Sequence, residues 1–147
     1  MELKGAKCTI RKYALPELAF DVCGKGQAHF LREIVKADVL FVVVENRAGI
    51  EKMEDLVTWE NPRIARYEKI CRMHEKGKWQ KVPLPKTPPV TGKMLAEALR
   101  KVQENYANVT FCFCSPAEAG KCVSQILEKN YEMDFEGEIG YGKKTNV

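Results

Sequence analysis

Six consecutive apolar residues, Val39 to Val44, lie between Asp38 and Glu45 and leave little freedom in what surrounds them. Four of the six are valine, which loses rotamer freedom in a helix and packs well on a pleated surface. A strand with no polar alternation has no face to give to water, so it belongs inside a sheet covered on both sides. This run predicts an α/β fold with a central, parallel strand.

The rest of the chain fits that frame. Cys8 to Tyr13 is rich in β-formers and predicts a first strand. The segment Leu15 to Cys23 keeps helical spacing, yet its second half also suits a strand, and both readings stay open. Gln27 to Ala37 places Phe30, Leu31, Ile34 and Ala37 on one helical face. Ala48 to Trp59 predicts a short helix. Asn61-Pro62 supplies a cap and a first-turn proline for a helix reaching about Lys76, where Gly77 ends it. Pro83, Pro85, Pro88 and Pro89 make the next stretch a stiff extended connector. Thr91 caps a helix from Gly92 to Tyr106, Val109 to Cys114 is a second buried-type strand, and Ser115-Pro116 opens a helix to about Lys129. Tyr131 to Glu138 reads as an edge strand. Strands separated by helices require crossovers, which gives a small, mostly parallel sheet with helices on both faces, a Rossmann-like three-layer sandwich. A length of 147 residues suits a single domain over 1–139, followed by a flexible tail over 140–147.

No apolar run is long enough to span a bilayer, and the N-terminus carries charge where a signal peptide would be apolar. Six cysteines without a CxxC pair read as reduced thiols of a cytoplasmic protein rather than a disulfide framework or a zinc knuckle. The net charge of +4 is unevenly spread: from Arg63 to Lys86 there are eight Lys/Arg against two Glu, a local excess of six. Such an excess attracts anionic ligands or partners.

Ligands of open α/β sheets bind outside the carboxyl ends of the strands. Two strand ends here carry distinctive residues: Glu45, Asn46 and Arg47 after the first buried run, and Cys114, Ser115 and Lys121 after the second. A helix beginning at Ser115 would offer free N–H groups to an anion and lower the Cys114 thiol pKa; the plainer reading is that Ser115 only caps. Cys112 and Cys114 share a strand face, opposite Phe111 and Phe113, and Cys122 faces the sheet from the next helix. Convergence of these three thiols would suit a soft-metal or redox site, but C-x-C-x7-C matches no ligand signature, and small side chains filling core space are the plainer reading. Gly24-Lys25-Gly26 resembles the start of a dinucleotide-binding loop, but His29 stands where the third glycine belongs, so the segment reads as an ordinary turn. His74 lies on an apolar helix face and reads as a satisfied core or interface histidine. Arg66, Lys69, Arg72 and Lys76, with Trp79, form a candidate partner surface that also has the composition of a nucleic-acid surface.

The strand ending in Glu45 and the later strand–loop–helix with Cys112, Cys114 and Gly120 together resemble a Toprim domain over two short segments. That family holds magnesium with a glutamate and a DxD pair. Cys112 and Cys114 would occupy the DxD positions, and thiols are poor magnesium ligands, so the resemblance implies an inactive relative. No Ser-His-Asp, HExxH or Walker-type pattern is present, and no cofactor is implied. The expectation is a non-catalytic binding or accessory subunit that meets a protein partner or an anionic small ligand. The alternatives are an enzyme with a reactive Cys114, with Cys112, Cys114 and Cys122 as an alternative metal set, and a nucleic-acid-binding protein using residues 63–86.

Overall fold

A computed structural model describes residues 7–130 in full, together with the backbone of 134–139 and 143–144. The elements run β1 (Lys7–Ala14), α1 (Leu15–Cys23), α2 (Gln27–Lys36), β2 (Val39–Glu45), a 3₁₀ helix (Met53–Thr58), α3 (Pro62–Glu75), α4 (Gly92–Asn105), β3 (Val109–Cys114), α5 (Ala119–Lys129), β4 (Asp134–Ile139) and β5 (Lys143–Lys144). The strands form one open sheet in the order β3-β2-β1-β4-β5. The first four are parallel, and β5 pairs antiparallel with β4.

The order of the strands explains where the helices lie. From β1 to β2 to β3 the chain steps across the sheet in one direction, and α1, α2 and α4 all pack on one face. From β3 it must return past β1 to reach β4, and a right-handed crossover made in the reverse direction has to use the opposite face. That crossover is α5. Leu40, Val42 and Val44 of β2 accordingly join the core under α1, α2 and α4. Val43 joins Cys8, Ile10, Val123 and Ile126 in a second core under α5. The Val39–Val44 run is therefore covered on both sides, as its composition requires.

The ambiguous segment Leu15–Cys23 is helical, with Leu15, Leu18, Ala19 and Val22 buried. Gly24-Lys25-Gly26 joins α1 to α2, so a helix and not a strand precedes it, and a dinucleotide loop is excluded. A Cβ on Gly26 would come within 2.7 Å of the Asp21 carboxylate, so close approach accounts for this glycine. Asn61 and Thr91 cap as expected, accepting from the N–H groups of Arg63 and Met94.

Three expectations are corrected. Ala48 to Trp59 forms only the six-residue 3₁₀ helix, because the chain must first turn through Gly49, whose φ is +79°. α5 begins at Ala119 rather than after Ser115, since residues 115–118 form a turn closed by the Glu118 N–H on the Ser115 carbonyl at 3.0 Å. β4 lies between β1 and β5 rather than at the sheet edge, because alternation within a strand carries no information on its neighbours. Of the predicted segment, Tyr131 to Met133 lies outside the described residues, as does the predicted tail apart from Lys143 and Lys144.

Candidate functional site

The carboxyl ends of β2 and β3 lie side by side, with Glu45 in register with Cys114. Asn46 extends the pairing by donating its backbone N–H to the Cys114 carbonyl at 2.9 Å. Its buried side chain closes the following loop: Oδ1 accepts from Ile50 N–H at 2.9 Å, while Nδ2 donates to the Ile50 carbonyl at 2.9 Å and to the Cys114 carbonyl at 3.4 Å. The Asn46 amide thus holds the loop closed from a buried position. Arg47, Ala48 and Gly49 project from this clamp into solvent.

A cleft of about 520 Å³ opens beside the loop, bordered by Arg47, Glu51, Phe113, Cys114, Ser115 and Lys121. Five of the six predicted ligand residues, Asn46, Arg47, Cys114, Ser115 and Lys121, therefore line one cleft. Ser115 is no helix cap; its hydroxyl donates to Glu118 Oε1 at 2.8 Å. Glu45 stands apart from the cleft wall, with Oε1 3.0 Å from Lys12 Nζ on β1. Lys12 carries no distinguishing signal in the sequence. It faces Glu45 only because β1 and β2 are parallel neighbours, which strand periodicity cannot show. The reversal in strand order lies between β1 and β4, so this cleft is not at the switch point where open α/β sheets commonly bind ligands.

Cys112, Cys114 and Cys122 do converge, as partly buried side chains packed against the core under α5. Burial raises the Cys112 thiol to about 11, with Cys122 adding to the shift. Cys114 is also raised to about 11, first by burial and then by Cys122, Glu45, Cys112 and Glu118. This reverses the expected lowering of the Cys114 pKa: the helix start lies farther along the chain, and carboxylates face the thiol in its place. Among the described residues, no group of three or more His, Cys, Asp or Glu is arranged to hold a metal ion.

The second candidate surface is α3 with the segment after it. Asn61, buried at the helix start, anchors that segment by donating Nδ2–H to the Val90 carbonyl at 2.9 Å. Ile70 is the single buried residue among the fourteen of α3. His74 Nε2 lies 2.7 Å from the Val82 carbonyl, which makes it the satisfied histidine its position suggested. Arg66, Lys69, Arg72 and Lys76 are all exposed. Their spacing of three, three and four keeps them on one side of the helix, along roughly 15 Å of its length. Trp79 adopts a φ of +56° and lies under Lys69, whose Nζ is 5.2 Å from the ring centroid. Among the described residues, none of these four cations is ion-paired with a carboxylate.

Compared with protein-family models, curated proteins and solved structures, the chain finds no significant match. The Toprim resemblance thus has no family-level support. Of the residues that carry it, Glu45 is paired with Lys12, and both cysteines are partly buried thiols raised to about 11. Among the described residues, no helix is long and apolar enough to cross a membrane.

Proposed function

We propose that the protein is a non-catalytic accessory subunit that holds an acidic partner protein on α3 and the segment over 77–90. One observation carries this reading: the stripe of Arg66, Lys69, Arg72 and Lys76 is turned to solvent and, among the described residues, unmatched by carboxylates. A helix that buries one side chain in fourteen contributes little to the core, so its cationic face is available for association. Trp79 adds a large half-buried ring beside the charges, the kind of side chain that dominates interface energetics. The sheet serves in this reading as a Rossmann-like scaffold. Six free cysteines suit a reducing, cytoplasmic setting.

The test is native mass spectrometry of the protein isolated from its own source, beside a variant carrying Arg66→Glu, Lys69→Glu and Arg72→Glu. The expected result is a partner at fixed stoichiometry that is lost from the variant while its thermal unfolding is unchanged. Co-isolated nucleic acid, with binding that falls steeply as salt rises, would replace this reading with nucleic-acid binding. A second reading is favoured by the cleft, where Arg47 and Lys121 stand at one opening with no ion pair among the described residues. It is that an anionic small molecule binds there, and a bound small mass removed by Arg47→Ala would establish it.

A further inference from the structure

The hydrogen-bond pattern of β3 identifies an interaction surface independent of α3. Leu40 N–H donates to the Asn108 carbonyl at 2.8 Å and Asn46 N–H to the Cys114 carbonyl at 2.9 Å, so even-numbered residues of β3 turn their peptide groups toward β2. The odd-numbered residues Val109, Phe111 and Phe113 turn theirs outward, because β3 ends the sheet. The chain itself covers one of these groups: Gln103 Nε2 donates to the Val109 carbonyl at 2.8 Å. Among the described residues, nothing bonds the outward groups of Phe111 and Phe113. The strand, VTFCFC, has no charge, proline or bulge of the kind that discourages pairing at an edge.

We propose that β3 pairs antiparallel with β3 of a second copy of this chain, about a two-fold axis beside Cys112. Two-folds at Thr110, Phe111, Cys112 and Phe113 all bring outward groups together. Those at Thr110 and Phe111 would need the Val109 carbonyl, which Gln103 already occupies, and that at Phe113 would need the Ser115 carbonyl, which already accepts from the Glu118 N–H. A two-fold at Cys112 pairs Phe111 of each copy with Phe113 of the other, and every group it needs is open. The axis stands perpendicular to the sheet, so each face continues into the same face of the second copy. Phe111 and Phe113, both half-buried, then lie beside Phe113 and Phe111 of the other copy, covering aromatic surface now in water. The groove over Phe111 and Phe113 is bordered by charges of both signs, Glu51, Glu54 and Glu104 with Lys52 and Arg100, so its rim presents no single-sign field to a second copy.

The axis places the two Cys112 residues in a non-hydrogen-bonded pair, with Cα atoms about 4.5 Å apart. That separation lies inside the disulfide range of about 4.4–6.8 Å, which provides a position-specific test. Diamide, which takes up the two thiol hydrogens as it oxidises them, is expected to convert the full chain to a covalent dimer. Cys114→Ser and Cys122→Ser should still crosslink, and Cys112→Ser should not. Without oxidant, native mass spectrometry at micromolar concentration should give a dimer, and Thr110→Lys, which adds a charge to the strand, should give a monomer. Amide exchange provides a readout independent of the cysteines. The N–H groups of Phe111 and Phe113 should be protected in the dimer and lose protection in Thr110→Lys, with that of Cys112 protected in both. A monomeric mass for the wild-type chain, or free exchange at Phe111 and Phe113, overturns the proposal. Crosslinking that persists in Cys112→Ser overturns the register.

Discussion

Replacing Asn46 with alanine removes a side chain that contributes three hydrogen bonds at a single buried position. Two of these, at 2.9 Å, satisfy the N–H and C=O of Ile50, a residue only 5% exposed. Each such bond is worth about 1 kcal/mol net, and a buried donor left without a partner costs about 1–3 kcal/mol more. The expected loss is about 3 kcal/mol. For a chain of this size, that corresponds to a fall in melting temperature of about 6–12 °C. Asn46→Asp should be at least as harmful: a carboxylate still accepts from Ile50 N–H, but presents oxygen where the amide nitrogen now faces two carbonyls. Urea titration with an unchanged m value isolates the stability term. A loss below about 0.5 kcal/mol for Asn46→Ala, the usual scale for a surface change, would refute the view that this amide holds the loop and the adjoining cleft wall.

Gly92→Ala should destabilise by about 3 kcal/mol or more in the same titration, because the added Cβ would lie 2.1 Å from the Leu56 carbonyl and 2.5 Å from that of Trp59. The gain in helix propensity, about 1 kcal/mol at most, does not offset such a clash. Stability should also fall at alkaline pH. Cys8, Cys112 and Cys114 are each raised from 9.0 to about 11, so the folded state holds protons that the unfolded state releases. Their contribution is complete below pH 9 and is lost as pH rises through 11; melting temperatures across that window check it against Cys112→Ser, which should show a shallower decline. For the half-buried pair of Lys12 and Glu45, a double-mutant cycle should give a coupling of about 1 kcal/mol, at the upper end for partly exposed pairs and weakened by salt.

What the sequence could reveal follows from the range of each interaction. Val39–Val44 declares its burial because a six-residue apolar run has no other use in such a chain. Asn61 and Thr91 declare helix starts because a cap bonds within three residues of itself. The separation of Phe111 and Phe113 from Cys112 and Cys114 is equally local and is found as expected. The arrangement around Glu45 is not local. Its partner Lys12 is set by the register of β1 against β2, and Asn46 reaches the Cys114 carbonyl across 68 positions of sequence. The start of α5 is misplaced by sequence for a related reason. Ser-Pro is a common helix opening, and here the Ser115 hydroxyl serves Glu118 in a turn ahead of the helix. The Cys114 thiol inherits that error, since the inferred fall in pKa depends on a helix end that lies elsewhere.

The position of β1 bears on how the chain is made. Among the described strands it comes first in sequence, and it is the centre of the sheet: Ile10 pairs on one side with Phe41 and on the other with Gly137. During synthesis the first neighbour emerges almost at once and the second only after the ribosome has added nearly a hundred further residues. Until then Cys8 and Ile10, which end up with no exposed surface, keep one flank open to any passing strand. A nascent chain stalled after α5 would thus hold β3, β2 and β1 in order with β1 as an unpaired edge, the kind that invites pairing with stray strands.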